Sequence, residues 1–244
     1  MPAIELIPAG RLQHPANIPD RRMRIRVTFS KAGPLIYIGN LDLHTMWERA
    51  ARRADLPLAY SKGFHPQPKI HFAAPLPLGF SSRCELLDMR LNEELACDSL
   101  PTRLNAVLPA GIRVLAVEAV EDKAPALQTQ VVTADYEITL REGTQIGTLQ
   151  QRIEALLAAA SLPRERRTRR YDLRPLIEGI QALSAREGEG IRIRMRLKAQ
   201  EGATGRPDEV LDALGVRRED VHIERTALSL RAGREESNSH HGVT

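Results

Sequence analysis

Apolar and polar residues alternate strictly in Met23-Arg-Ile-Arg-Val-Thr-Phe29, with Met23, Ile25, Val27 and Phe29 on one side and Arg24, Arg26 and Thr28 on the other. Period-two alternation is the mark of a strand with one face on a core. Lys31–Pro34 reads as a turn and Leu35–Ile38 as a short second extended piece. The period then changes. Leu43, Met46, Trp47, Ala50, Ala51 and Ala54 recur at spacings of three and four, one face of a helix over Leu41–Ala54, with Asn40 placed to cap it and Arg49, Arg52 and Arg53 off the apolar face. Pro57 closes that helix, because proline disfavours helical geometry in the residue before it.

Strands follow at Lys69–Ala74 and Glu85–Leu91, a helix at Leu95–Leu108 and a strand at Ile112–Val120. Asp122–Thr129 carries a proline and no period, and is read as a linker. Beyond it the same grammar returns without a residue-level repeat. There is a strand at Tyr136–Leu140, a helix at Gly147–Ala160, strand material within Arg164–Leu183, a cleanly alternating strand at Ile191–Lys198, a helix from Pro207 to Leu214 and a strand at Val221–Leu230. Helical crossovers between strands imply helices packed on one face of a sheet. The expected fold class is α+β, two tandem ferredoxin-like α/β sandwich domains. Their expected limits are 21–121 and 131–231, with a linker at 122–130, an extended arm at 1–20 and a disordered tail at 232–244.

The 244 residues are 42% hydrophobic, 27% charged and 4% aromatic, an ordinary globular balance whose core rests on aliphatic side chains. No run approaches the roughly 18–20 apolar residues of a membrane helix, and the first ten residues lack the basic-then-apolar order of a signal peptide. Two cysteines, Cys84 and Cys97, do not make a disulfide framework. A cytoplasmic protein without a membrane partner is expected.

Charge changes the picture through its distribution. The net +4 conceals basic blocks at Arg21–Ala74 and Ser161–Lys198 on either side of an acidic block at Glu85–Asp122. Such blocks favour an anionic partner or simply solvate outer faces. The chemistry that a sequence can advertise is absent: no cysteine cluster for zinc or iron–sulfur, no phosphate-binding glycine loop, no dinucleotide fingerprint and no Gly-x-Ser-x-Gly elbow. His65 and His71 lack a third metal ligand, and no cofactor is expected.

Three basic features remain as candidates. Arg24 and Arg26, with Arg192, Arg194, Arg196 and Lys198, occupy the polar sides of alternating strands, so both sets are expected to face outward from a sheet and to suit an RNA backbone. Outward strand residues must be polar in any case, which leaves a purely structural role equally open. Arg164-Glu-Arg-Arg-Thr-Arg-Arg-Tyr-Asp-Leu-Arg174 places Arg164, Arg166, Arg167, Arg169, Arg170 and Arg174 around Tyr171. Guanidinium forks suit phosphate and a tyrosine ring can stack on a base. The third feature is Ala59-Tyr-Ser-Lys-Gly-Phe-His-Pro-Gln-Pro-Lys-Ile-His-Phe72. Pro66 and Pro68 forbid helix and force a stiff extended loop. Tyr60, Phe64 and Phe72 are expected to anchor it inward, leaving Lys62, His65, Gln67 and Lys69 to a ligand.

The run Leu41-Asp-Leu, Arg49–Ala54, Leu56-Pro-Leu-Ala-Tyr-Ser-Lys-Gly-Phe-His-Pro-Gln-Pro-Lys69, Leu76-Pro-Leu-Gly79 and Glu85 resembles a bacterial radical-SAM-linked domain family of unknown function. Leu108-Pro-Ala-Gly-Ile112, Asp172-Leu-Arg-Pro175 and Arg206-Pro207 continue the likeness, which covers roughly residues 22–230. The resemblance implies a separate radical-SAM enzyme with a B12-type domain as partner. The family often has Ser-His before Leu-Asp where this chain has Gly39-Asn40, so chemistry resting on that histidine would be missing. The reading that follows is a non-catalytic RNA-binding accessory module for such an enzyme, in RNA modification. Two others stand beside it: a catalytic domain using His65 with Asp42 or Glu85 as acid and base, and a protein adaptor that touches only the enzyme.

Overall fold

A computed structural model describes residues 22–140, 146–166, 168–183 and 191–231. The expected arm and tail, Arg167 and the side chain of Arg169 lie outside the described residues. The chain forms a mixed α/β structure with a large, mostly antiparallel sheet and few helices.

Strand β1 (Met23–Lys31) leads through a short 3-10 turn at Gly33–Tyr37 into α1 (Asn40–Arg53). That turn replaces the extended piece expected at Leu35–Ile38: Gly33 takes a left-handed φ of 60° and Pro34 starts the turn. Gly39 occupies the cap position of α1, and Asn40 is already helical. The short β2 (Ile70–Phe72) and the long β3 (Ser81–Leu91) come next. The expected helix at Leu95–Leu108 is cut down to α2 (Leu100–Asn105) behind a 3-10 turn at Cys97–Ser99. Pro101, in the first turn of α2, has no N–H for a preceding helical turn to use. Strand β4 (Ile112–Val120) closes the first half.

The second half runs through a one-turn α3 (Leu127–Gln130), β5 (Val131–Leu140), α4 (Ile146–Ala158) and a β6–β7 hairpin (Pro163–Arg166 with Arg169–Asp172). It continues with β8 (Ile177–Leu183), β9 (Arg192–Gln200), β10 (Ala203–Thr204), α5 (Pro207–Ala213) and β11 (Val221–Leu230).

The sheet order is β10-β9-β5-β11-β3-β1-β4, with β2 also on β3 and β8 also on β9. Within each half, every pairing is antiparallel. The halves meet where β11 runs parallel to β3, with Glu224 opposite Ser81 and Arg225 opposite Ser82. The sheet is therefore continuous, and the C-terminal ends of β3, β11 and β9 point the same way, because two antiparallel steps separate β11 from β9.

Each half has its own apolar core. One gathers Ile25, Val27, Phe29, Trp47, Leu87 and Met89, and the other Tyr136, Ile138, Ile153, Ile193, Met195 and Val210. At the join, three charged residues sit at the core-facing parity of their strands. Arg225 donates through Nη1 to both Glu85 oxygens (3.1 and 3.2 Å) and through Nη2 to the Pro75 carbonyl (2.8 Å), while Lys31 is buried beside them. Burial pushes the Lys31 ammonium below its ordinary range; the Glu85 carboxylate opposes that shift and the Arg225 guanidinium adds to it.

The segment read as a linker, 122–130, is docked on the sheet. Leu127 is buried, in a small cluster with Ala73 and Val131 that Leu86, Leu228 and Leu230 flank. It lies over the polar face of β1, and this overturns the outward reading of Arg24 and Arg26, which are only 5% and 9% exposed. Arg24 reaches Asp88 on β3 (2.9 and 2.5 Å) and the carbonyls of Ala124 and Pro125 (2.7 and 2.8 Å), and Arg26 reaches the same carboxylate (2.9 and 3.2 Å). A buried guanidinium needs such partners, and the crossing segment supplies the carbonyls.

Candidate nucleic-acid interface

Of the six-arginine cluster, Arg164, Arg166, Arg169 and Arg170 lie on the β6–β7 hairpin, with Arg164 opposite Tyr171, Glu165 opposite Arg170 and Arg166 opposite Arg169, and Arg174 begins the 3-10 turn after it. The arginines divide by role. Arg174 is half-buried and structural: Nε and Nη2 donate to the Leu157 carbonyl (3.1 and 2.8 Å) and Nη1 to the Ile177 carbonyl (3.2 Å). Near the end of α4 such a cation satisfies a carbonyl that the helix leaves open. Arg164 approaches Asp212 on α5 at 3.8 Å, and Arg170 pairs with Glu165 at 3.2 Å in solvent. Arg166 is exposed, within electrostatic reach of Glu209. Burial pushes the Glu209 carboxyl above its ordinary range, with Arg166 and Arg164 pulling the other way. Glu209 Oε2 and Arg164 Nε are buried without a hydrogen-bond partner, so the junction of hairpin and α5 holds unmet polar capacity.

Beside it opens a cleft of about 670 Å³, lined by Arg166, Thr168, Tyr171, Thr204, Arg206 and the backbone around Gly202. Tyr171 is half-buried against the second core. Asp172 also lines the cleft and is held in place, its Oδ1 accepting the N–H of Leu162 (2.7 Å) and of Arg174 (2.9 Å). Those two backbone bonds draw its carboxyl below the usual carboxylate range. The cleft thus presents the guanidinium groups of Arg166 and Arg206, the Thr168 hydroxyl and the Tyr171 ring beside the Asp172 carboxylate, while the Thr204 hydroxyl donates to the Gln200 carbonyl (3.0 Å). Guanidinium and aromatic ring are the groups suited to a phosphate and a base. Thr168 and Thr204 had no signal of their own in the sequence, and Arg206 figured there only in the Arg206-Pro207 part of the family likeness; Arg206 joins the site because the β9–β10 turn brings residues 202–206 against the hairpin.

On β9 the arginines face outward, but across the strand they meet acids of β5. Arg196 is held by both oxygens of Asp135 (2.6 and 2.7 Å), while Arg192 and Arg194 lie 3.2 and 4.0 Å from Glu137. Their charge is largely met within the protein.

The loop at 59–69 departs most from expectation. Its neck is closed by backbone bonds from Ser61 N–H to Gln67 O (2.8 Å) and from Lys69 N–H to Ala59 O (2.9 Å), and by Gln67 N–H to Ser61 Oγ (2.9 Å). Tyr60 is anchored as expected, its hydroxyl accepting from Arg52 (2.9 Å) and facing Glu48 (3.3 Å). Phe72 packs against the first core and Pro68 is buried. Phe64, expected to point inward, is 103% exposed at the tip, next to Gly63 at a φ of 127°. Lys62, His65 and Gln67 surround it in solvent, with Lys69 half-buried at the neck.

The acid–base set proposed for catalysis is not brought together. Glu85 is buried against Arg225, Asp42 sits exposed in the first turn of α1, and no hydrogen bond or ion pair among the described residues joins His65 to either. A serine–histidine contact invisible in the sequence does form, Ser81 Oγ to His222 Nε2 at 2.8 Å. It stands where β11 meets β3, with Ser81 Oγ also 3.5 Å from the Ile223 carbonyl, and so fastens the two halves.

A mixed α/β protein carrying a basic, aromatic-lined cleft is the class that these features define. The family described as an uncharacterized protein conserved in bacteria, DUF2344, matches residues 24–207, and the chain belongs to it. A search among curated proteins found no match. Among solved structures, one chain of a Cbf5–Nop10–Gar1 complex is similar at 11% identity with a TM-score of 0.45, covering 84% of this chain and 48% of its own length. The chain therefore spans about half of that neighbour, and a likeness at this score carries no functional weight.

Proposed function

We propose that this chain is a non-catalytic RNA-binding module that presents RNA to a separate radical-SAM enzyme of the B12 type in the cytoplasm. Its architecture is read as two ferredoxin-like units, 21–121 and 131–231, since β4-β1-β3-β2 and β11-β5-β9-β8 repeat one antiparallel strand order. The observation that carries the RNA reading is the cleft that Arg166, Tyr171 and Arg206 line together. Phosphate would lie on the guanidinium groups and a base on the ring, with Arg170 at the rim adding a longer-range field.

Replacing Arg166 and Arg170 together by alanine should weaken binding to bulk cellular RNA at low salt and reduce the slope of log K against log[salt] by about 0.7 for each lost phosphate contact. Unchanged affinity and slope would remove the reading.

An enzyme-contacting role draws support from a different surface. Tyr37, Leu41 and Leu78 are exposed apolar side chains, and Tyr37 lies beside Gly79, whose N–H donates to the Ile36 carbonyl at 2.8 Å. In this reading those residues, rather than the acidic block, meet the enzyme, because Glu85 and Asp88 of that block are buried in ion pairs.

A further inference from the structure

Phe64 is the largest departure from ordinary burial among the described residues, and its setting is built rather than loose. Prolines at 66 and 68, the Ser61–Gln67 clasp and the Tyr60–Arg52–Glu48 contacts fix the neck, while Gly63 takes a backbone angle that a side chain would resist. A rigid loop that holds an aromatic face in water between Lys62 and His65 is preorganised for a flat ligand carrying negative charge.

Topology gives the loop a second significance. Ala59 and Lys69 bond to Arg90, so the loop sits at the C-terminal end of β3. The Tyr171 cleft sits at the C-terminal end of β9, through Gly202–Thr204 on one side and Leu176, just before β8, on the other. Those two strand ends lie on the same end of the sheet, separated by β11 and β5. At the loop's level β2 takes the side of β3 that β11 holds at Ser81–Ser82, so β3 and β9 stand further apart there than the three strand spacings, about 14 Å, of a continuous sheet. A single-strand site covers roughly 4–16 nucleotides.

We propose that Phe64 stacks on an unpaired nucleobase and that, with Tyr171, it defines one track for single-stranded RNA along this end of the sheet. The inference rests on the RNA reading above and adds to it the strandedness of the ligand and a second stacking residue. Unpaired bases expose the faces that stacking needs, whereas a duplex hides them.

The test uses the full chain with a 12-nucleotide oligouridylate and a 12-base-pair RNA duplex. Wild type should favour the single strand at least tenfold. Phe64→Ala should weaken oligouridylate binding by about five- to a hundredfold, the range found for losing one stacked base, with the salt slope unchanged because no cation is removed. Phe64→Trp should keep the affinity, and its exposed indole emission should be quenched on binding; the native Trp47 is buried. If Phe64→Ala binds like wild type while the Arg166/Arg170 variant is weakened, this inference falls and the RNA reading stands. If Phe64→Ala instead loses only a co-purifying protein, the loop is a protein anchor and the inference is overturned. If wild type binds neither probe nor bulk RNA at low salt, both fall together.

Discussion

Strands β1 and β9 carry the same alternation, arginine against aliphatic, and meet opposite fates. On β1, Arg24 and Arg26 converge on Asp88 and vanish beneath residues 122–130. On β9, Arg194 and Arg196 remain in solvent beside Glu137 and Asp135. Alternation specifies which side of the strand a residue takes. Whether that side meets water depends on what is laid across it: residues 122–130 cover Arg24 and Arg26, and Arg194 and Arg196 stay exposed.

The comparison can be broken most forcefully at Asp88. Asp88→Ala leaves two buried guanidinium groups without their carboxylate and should cost about 3–5 kcal/mol in urea unfolding. Leu127→Ala should follow at about 2–4 kcal/mol, since it empties a buried site and loosens the cover over Arg24. Faster amide exchange across 122–130 would distinguish that loosening from a general loss of stability.

Cysteine reactivity compares buried with open positions by chemistry. Burial pushes the Cys84 thiol up to about 11, leaving roughly one thiolate in a thousand at pH 8. Cys97 is raised as well, chiefly by burial and then by Asp98, but is less enclosed. Iodoacetamide at pH 8 should therefore label Cys97 first, and equal rates would contradict the burial of Cys84.

Asp172 supplies a pH test of the cleft. Its folded pKa is depressed, so its contribution is complete above the ordinary carboxylate range and is lost as pH falls through the lowered folded value. Amides of Leu162 and Arg174 should exchange faster under acid in wild type, and Asp172→Asn should reduce that pH response. The smallest effect belongs to the exposed strand: Asp135→Ala should change stability by less than about 1 kcal/mol, and Arg196→Ala should weaken RNA binding less than Arg166→Ala.

Much of the fold was legible. β4 and β11 have the limits that the pattern set, and α1 and α4 lie within two residues of theirs. Of the candidate site, six arginines in eleven residues marked the hairpin, where Arg164 stands opposite Tyr171 and Arg166 and Tyr171 line one cleft; a binding role for them remains a proposal. Phe64 was misread because aromatic residues are usually buried, and a stiff loop's direction is not written in its composition. Arg225, Glu85 and Lys31 could have been caught, since each falls at the core-facing parity of its strand, where a charge requires a partner.

The sequence by itself determined local period, hence element type and strand face, because those follow from side chains three to four residues or two residues apart along one backbone. Tertiary structure alone decided which basic groups remain available. That outcome turns on contacts between residues 62 to 140 positions apart, such as Arg26 with Asp88 and Arg225 with Glu85. Burying a guanidinium is tolerable only where a distant carboxylate and carbonyls arrive to meet it.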